Sequence, residues 1–233
     1  MRAWFATAVL FSLRTVARTF WRVESRWIGD VPEGDPWAHI RVVAILHHTS
    51  LFEPIFAAIA PFRFLVKLAR HGVIPIADIT ANRPVAGRFF KSLTAHVVSI
   101  SRQRDSTWRE VLAKIEDPKR IVALLPEGRM LRATGLDKEG KPMTVRAGIA
   151  DILLATPDGR MLLGYSAGLH HIHCPGEGLP RLFKTARIQL EVVDIRAYRE
   201  RLLAEHGESG FRGAVIADLT RRRDLHCHDW TAE

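Results

Sequence analysis

One segment of the chain concentrates groups able to move a proton: His47-His48-Thr49-Ser50-Leu51-Phe52-Glu53-Pro54. It follows directly on Ile40 to Leu46 (IRVVAIL), a short β-branched run that reads as a buried strand. Ser50 and Glu53 have the S-x-x-E spacing of a capping box, which predicts a helix over Ser50 to Ala60 with Glu53 in its first turn. His48 then lies outside the helix, on the strand-to-helix loop, where its imidazole can fold back toward the Glu53 carboxylate. Within one continuous helix, residues five apart would sit about 140° apart and would not meet easily. A carboxylate beside a histidine fixes the ring tautomer and stabilises the imidazolium, which makes a general base. Taken alone, the same spacing is also met by chance, with Glu53 only capping and His48 merely polar.

Two more segments end in the same way. Leu124-Leu125-Pro126-Glu127-Gly128-Arg129 closes the strand predicted over Ile121 to Leu125, and Val97-Val98-Ser99-Ile100-Ser101-Arg102 closes another over His96 to Ile100. All three place polar groups at the carboxyl ends of strands, where open α/β sheets put their sites. Together they resemble the glycerolipid acyltransferase superfamily, typified by lysophosphatidic acid acyltransferases. Its His-x4-Asp motif is matched by His48-x4-Glu53, its Phe-Pro-Glu-Gly motif by Leu125-Pro126-Glu127-Gly128-Arg129, and its Gly-x-hydrophobic-x-x-x-Arg motif by His96 to Arg102. The resemblance runs from about residue 40 to 155, with the motifs in the expected order. Glu53 stands where aspartate is usual, His47 where asparagine is common, and His96 where a glycine opens the motif. The fourth motif, a hydrophobic strand with proline, is echoed only weakly at Met161–Gly164.

The resemblance implies transfer of an acyl group from an acyl thioester (acyl-CoA or acyl-ACP as co-substrate) to a hydroxyl of a lysophospholipid-like acceptor. His48 would take the hydroxyl proton and Glu53 would orient it, with no covalent intermediate, no other cofactor and no metal. Arg102 and Arg129 would hold the acceptor's phosphate, since guanidinium donors match phosphate oxygens, and Arg104 would add a contact. Pro126, Glu127 and Gly128 would shape that site. His-x4-Glu also occurs in late acyltransferases of lipid A assembly, so a glycolipid acceptor stays open.

Other motifs compete. Gly164-Tyr165-Ser166-Ala167-Gly168 matches the G-x-S-x-G elbow of serine esterases, with a predicted strand at Met161–Tyr165 before it. No HGGG-like loop lies upstream, and His170-His171-Ile172-His173-Cys174-Pro175-Gly176 follows where a helix is needed. That histidine cluster and His226-Cys227-His228 lack paired zinc-ligand spacing and read as loop polarity. The excess of 34 Lys+Arg over 25 Asp+Glu, a net +9, calls for an anionic partner. A non-catalytic protein binding membranes or nucleic acid through Arg221-Arg222-Arg223 and Arg63, Arg70, Arg83 and Arg88 is the rival outside enzymology. No nucleic-acid motif supports it, so no nucleic acid is expected as a partner.

The elements that must position these residues alternate. Strands over Phe20–Ile28, Phe62–Leu68, Val73–Ile76 and Ile188–Val192 interleave with helices over Trp108–Ile115, Arg146–Ala155, 197–206 and about 211–223. This is an α/β fold with a mixed, largely parallel central sheet flanked by helices, of the glycerol-3-phosphate acyltransferase kind that the resemblance implies. By that resemblance residues 23–233 would form the acyltransferase domain, and 47% hydrophobic content in a chain of 233 residues excludes a disordered protein. Cys174 and Cys227 have no framework spacing and read as free thiols in a reducing compartment.

Residues 1–22 are set apart as an amphipathic helix. Ala3 to Leu13 is mostly apolar but shorter than the roughly 20 residues a bilayer span needs, and no signal-peptide cleavage pattern follows. Arg14, Arg18 and Arg22 share one face, with Phe5, Val9, Leu13, Val16 and Phe20 opposite and Trp4 and Phe11 on the basic side. Two fates fit: lying in the interface of the cytoplasmic membrane face as a peripheral or monotopic anchor, or packing on its own domain.

Overall fold

Residues 40 to 46 are apolar at almost every position because they are covered on both sides, and the rest of the chain is built around them. The computed structural model describes residues 2–101 and 105–228. In chain order the elements are α1 (Arg2–Phe20), β1 (Arg22–Trp27), β2 (Ile40–Leu46), a 3-10 helix (Glu53–Ala58), α2 (Phe62–His71), β3 (Gly72–Ala77), α3 (Asp78–Ala81) and α4 (Ala86–Ser92). There follow β4 (His96–Ile100), α5 (Ser106–Ile115), β5 (Ile121–Leu124), α6 (Gly148–Ala155), β6 (Arg160–Ser166), β7 (Thr185–Asp194) and α7 (Ile195–His226). The strands form one seven-stranded sheet in the order β1-β7-β6-β2-β5-β3-β4. Every neighbouring pair is parallel except β6 with β7. A mixed, largely parallel sheet flanked by helices is therefore the observed architecture.

Two apolar layers sandwich the sheet. On one face Val42, Ala44 and Leu46 of β2 pack with Val111 of α5, Ile149 and Ile152 of α6, and Phe211 and Val215 of α7. On the other, Leu162, Ile188 and Leu190 pack with Leu10 of α1, Ile55 and Phe56 of the 3-10 helix, and Phe64 and Leu65 of α2. Val43 and Ile45 point to this second face and are only half-buried, because they line a cavity there.

The sheet register explains why separate motifs meet. Ala44 of β2 is paired with Leu124 of β5, so the chain leaves both strands at the same height. Three residues further on, the His47 N–H donates to Glu127 Oε1 at 2.8 Å.

Two expectations need correction. Residues 62–68 are helical, not a strand: Pro61 is the extended cap residue that starts the helix, and the buried Phe64, Leu65 and Ala69 follow helical spacing. The helix expected from Ser50 begins only at Glu53 and is of the 3-10 type. Pro54 has no N–H to return to the Ser50 carbonyl, so a regular helix cannot start there. The two expected carboxy-terminal helices are both present within α7, Ile195–His226, and meet at a kink where Gly207 takes φ 66°. The short helices α3 and α4 were not anticipated.

The amino-terminal helix packs on its own domain and leaves an aromatic face outside. It buries Ala6, Leu10 and Ala17 against the domain, while Trp4, Phe5 and Phe11 are 71%, 63% and 49% exposed. The inward face is rotated from the predicted one, so Phe5 and Val16 point outward. Small residues inside let the helix lie close to the 3-10 helix and α2, and the aromatic groups are left outside.

Candidate active site

His48 leaves the end of β2 in the turn that precedes the 3-10 helix. His47 before it has φ 68°, a left-handed conformation that reverses the chain direction at the sheet edge. The turn bends Glu53 back: its Oε1 accepts the N–H groups of Thr49 and Ser50, both at 2.8 Å. The same oxygen lies 3.1 Å from His48 Nδ1. Glu53 is 3% exposed and His48 8%, and Glu53 Oε2 has no hydrogen-bond partner among the described residues. Two backbone donors thus hold one oxygen of a buried carboxylate, and His48 Nδ1 stands beside that oxygen as an ion-pair contact, outside hydrogen-bond geometry. With Nδ1 toward Glu53, the other ring nitrogen, Nε2, is left for the cavity that His48 lines.

Pro126, Glu127 and Gly128 form the facing turn. Gly128 adopts φ 63°, which a side chain would strain, and its N–H returns to the Leu125 carbonyl at 2.9 Å. Glu127 is fully buried, and burial pushes its carboxyl up, partly offset by the N–H of His47. It ties the two turns together. Burial likewise pulls His47 below its ordinary value. Its Nδ1 donates to the Ser166 carbonyl at 2.9 Å, since a carbonyl can only accept.

The remaining sequence candidates are placed unequally. Arg129 lines the cavity, but its Nη1 is shared by Asp137 and Glu139, each at 2.6 Å. The Arg129 hydrogen bond is the first cause that holds the Asp137 carboxyl down to about 2. Arg102 and Arg104 lie outside the described residues. Sequence reasoning passed over Arg146, which it treated only as the start of a helix. The Arg146 N–H donates to the Pro126 carbonyl at 3.0 Å and the residue lines the same cavity. Its exposed guanidinium has no ion pair or hydrogen bond among the described residues. The only sequence signal was a basic residue immediately before Ala147-Gly148 at a predicted helix start.

The cavity has a volume of about 650 Å³ and joins two kinds of surface. Its polar end holds His48, Glu53, Glu127, Gly128, Arg129 and Arg146, and its apolar part runs over Val43, Ile45, Leu162, Gly164, Ile188 and Leu190 to Leu10 and Leu13 of α1. That combination suits a molecule with a charged or polar head and an aliphatic chain.

Ser166 does not form a nucleophile elbow. It is 1% exposed at the end of β6, its Oγ accepts the Gly168 N–H at 3.0 Å, and a turn rather than a helix follows. The neighbouring histidines do not gather: Nε2 of His170, His171 and His173 each meets a different backbone carbonyl, of Leu131, Thr185 and Glu177.

A three-layer α/β domain with a histidine–carboxylate pair at the mouth of an apolar cavity is the class these observations define. No family model matches the chain, and no curated protein matches it. Among solved structures it is similar to the 1-acyl-sn-glycerophosphate (LPA) acyltransferase PlsC from Thermotoga maritima, with a TM-score of 0.53 and 16% identity. The match covers 94% of this chain and 81% of that one. The two share a fold, including a mostly parallel central sheet flanked by helices.

Proposed function

We propose that this protein is an O-acyltransferase that moves a fatty acyl group from an acyl thioester to a hydroxyl of a lysophospholipid-like acceptor. The observation that carries the reading is the His48–Glu53 pair, 3.1 Å apart, opening onto an apolar cavity. In the reaction, His48 Nε2 takes the acceptor's hydroxyl proton as its oxygen attacks the thioester carbonyl. The tetrahedral adduct collapses by breaking the carbon–sulfur bond, and the imidazolium returns the proton to the departing thiolate. Glu53 holds Nδ1–H throughout and offsets the transient positive charge, so the ring is oriented at each stage. The fold shared with an LPA acyltransferase supports the same reading. Acyl-CoA and acyl-ACP are both competent donors in this scheme, and a glycolipid acceptor would use the same proton transfer.

The acceptor's phosphate falls to the arginines. Arg129 is already flanked by two carboxylates, whereas Arg146 brings an unpaired charge to the same end of the cavity. Arg102 and Arg104 are further candidates on the motif resemblance alone. Arg146→Ala is expected to raise KM for the acceptor at least about tenfold, the loss of one charge-assisted hydrogen bond, with kcat changed little. An unchanged acceptor KM in steady-state assays would remove Arg146 from the phosphate site.

The reading places the protein peripherally on the cytoplasmic membrane face. Among the described residues no helix is long and apolar enough to cross a membrane. The outer face of α1 presents Trp4, Phe5 and Phe11, Phe62 packs edge-on against Phe11 at 5.8 Å, and Arg14 and Arg18 flank them. This is a surface for the headgroup region of an anionic bilayer. Because the inner face of α1 belongs to the core, the anchor is tested by substitution rather than removal. A Trp4→Ser, Phe5→Ser, Phe11→Ser protein should lose about tenfold or more of its partitioning to phosphatidylglycerol-containing vesicles in sedimentation assays. Equal sedimentation of variant and wild type would refute the anchor.

The activity itself is tested by incubating the purified protein with an acyl-coenzyme A panel and lysophosphatidic acid or other lysolipids. Thiol release coupled to a diacyl product is expected. Failure to acylate any lysolipid or glycolipid hydroxyl would overturn the reading.

A further inference from the structure

The segment after β6, which carries GYSAG and three histidines, serves neither as an elbow nor as a metal site, yet it lies against the catalytic turn. We propose that His173 is a positioning residue for the His48–Glu53 pair, acting through Ser50. The proposal rests on the acyltransferase reading above.

The geometry is a chain of directed bonds. His173 Nε2 lies 3.0 Å from the Glu177 carbonyl, which can only accept, so Nε2 carries the proton and Nδ1 of the neutral ring is bare. Nδ1 is 3.2 Å from Ser50 Oγ, and the Ser50 hydroxyl is therefore the donor. With its proton committed, Ser50 Oγ accepts the Phe52 N–H at 3.1 Å, so the residue is held from both sides. Its own N–H then points at Glu53 Oε1, the oxygen beside His48.

Neighbouring contacts fix the same two segments together. The Leu169 N–H donates to Thr49 Oγ1 at 2.7 Å, and the ring of Phe52 packs on that of His173 at 4.7 Å between centroids. Thr49 and Ser50 are fully buried and His173 is 7% exposed. Burying polar groups is costly, and an apolar side chain would fill this space more cheaply if packing were all that was needed. What the polar chain adds is direction: it sets where the Thr49 and Ser50 N–H groups point, and so where Glu53 holds His48.

The test is a kinetic cycle in the full-length protein with an acyl-coenzyme A and the lysolipid that wild type acylates. His173→Leu is expected to lower kcat about 10- to 100-fold, the scale of a misplaced catalytic group, with KM within about threefold. His173→Asn, whose Oδ1 can take the place of Nδ1, should restore kcat to within about threefold of wild type. Ser50→Ala deletes the same link from the smaller side and should match His173→Leu, and the double variant should be no slower than either alone. Thermal melts report whether each variant folds, and Ser50→Ala keeps the test open where His173→Leu does not. An active wild type and an inactive His48→Ala, with His173→Leu and Ser50→Ala both at wild-type kcat, overturns the positioning role alone. So does additivity of the two losses, or failure of asparagine to rescue. A wild type without transfer activity, or a His48→Ala protein as fast as wild type, overturns the acyltransferase reading instead.

Discussion

His48→Ala lowers kcat by about 10²- to 10⁴-fold, the range for removal of a general base, while the protein remains folded. The second half of that expectation follows from the turn. Glu53 keeps the N–H groups of Thr49 and Ser50 when the imidazole is gone, so its charge is not left without partners. The carbonyl of His48, which accepts the Leu131 N–H at 2.8 Å, is also untouched. Glu53→Gln keeps the shape of the site but not its charge. It should slow transfer about 100-fold, because the imidazolium formed on proton abstraction loses its counterion. Since Glu53 acts through His48, the double variant should be no slower than His48→Ala alone. Steady-state thiol release and lipid product analysis measure all three. Lipid product from His48→Ala at a rate within about tenfold of wild type would end the general-base assignment.

The parts legible in the sequence were those fixed by neighbours in the chain. Ile40 to Leu46 announces a buried strand by composition, and four intervening residues suffice to turn His48 toward Glu53. Pro126-Glu127-Gly128 was legible for the same reason, since a glycine after a β run marks a turn. Residues 62–68 misled because Phe62, Phe64, Val66 and Leu68 alternate like a strand. The burial that decides the matter falls on Phe64, Leu65 and Ala69, and only the preceding Pro61 hints at it. In α1, Arg18 lies on an exposed face as expected, whereas Arg14 is half-buried and Arg22 already belongs to β1; which face turns inward depends on the close fit of Ala6 and Ala17 to the domain. Arg146 and His173 were illegible as site residues for a different reason. Each reaches the site through a bond between distant segments, Arg146 by its N–H to the Pro126 carbonyl and His173 by Ser50. No local pattern encodes such a contact.

Acyl selectivity has the other large expected effect, and it turns on a residue with no side chain. Gly164 lies within β6, where a glycine costs strand stability and marks a close approach. A Cβ there would stand 2.8 Å from Ile188 Cδ1 and 3.5 Å from Ile45 Cγ1, and all three residues line the cavity. Glycine therefore keeps open the space between two walls along which an acyl chain would run. Ile188 Cδ1 is the far end of a flexible side chain, so Gly164→Ala can be accommodated by a rotamer change. Gly164→Val fills the passage more fully, and such overpacking costs about 1–3 kcal/mol of stability, which a thermal melt would register. Each methylene kept out of the cavity forfeits about 0.8 kcal/mol, close to fourfold in kcat/KM. Exclusion of three methylenes thus lowers kcat/KM about 50-fold for donors long enough to meet the obstruction. Donors too short to reach Gly164 keep their wild-type values, because the His48 end of the cavity is unchanged. A panel of acyl-coenzyme A donors of graded length, run on wild type, Gly164→Ala and Gly164→Val, should show a cutoff that moves to shorter chains as the side chain grows. An unaltered length profile in the valine variant would mean that the acyl chain does not enter along β6, even if His48 remains essential.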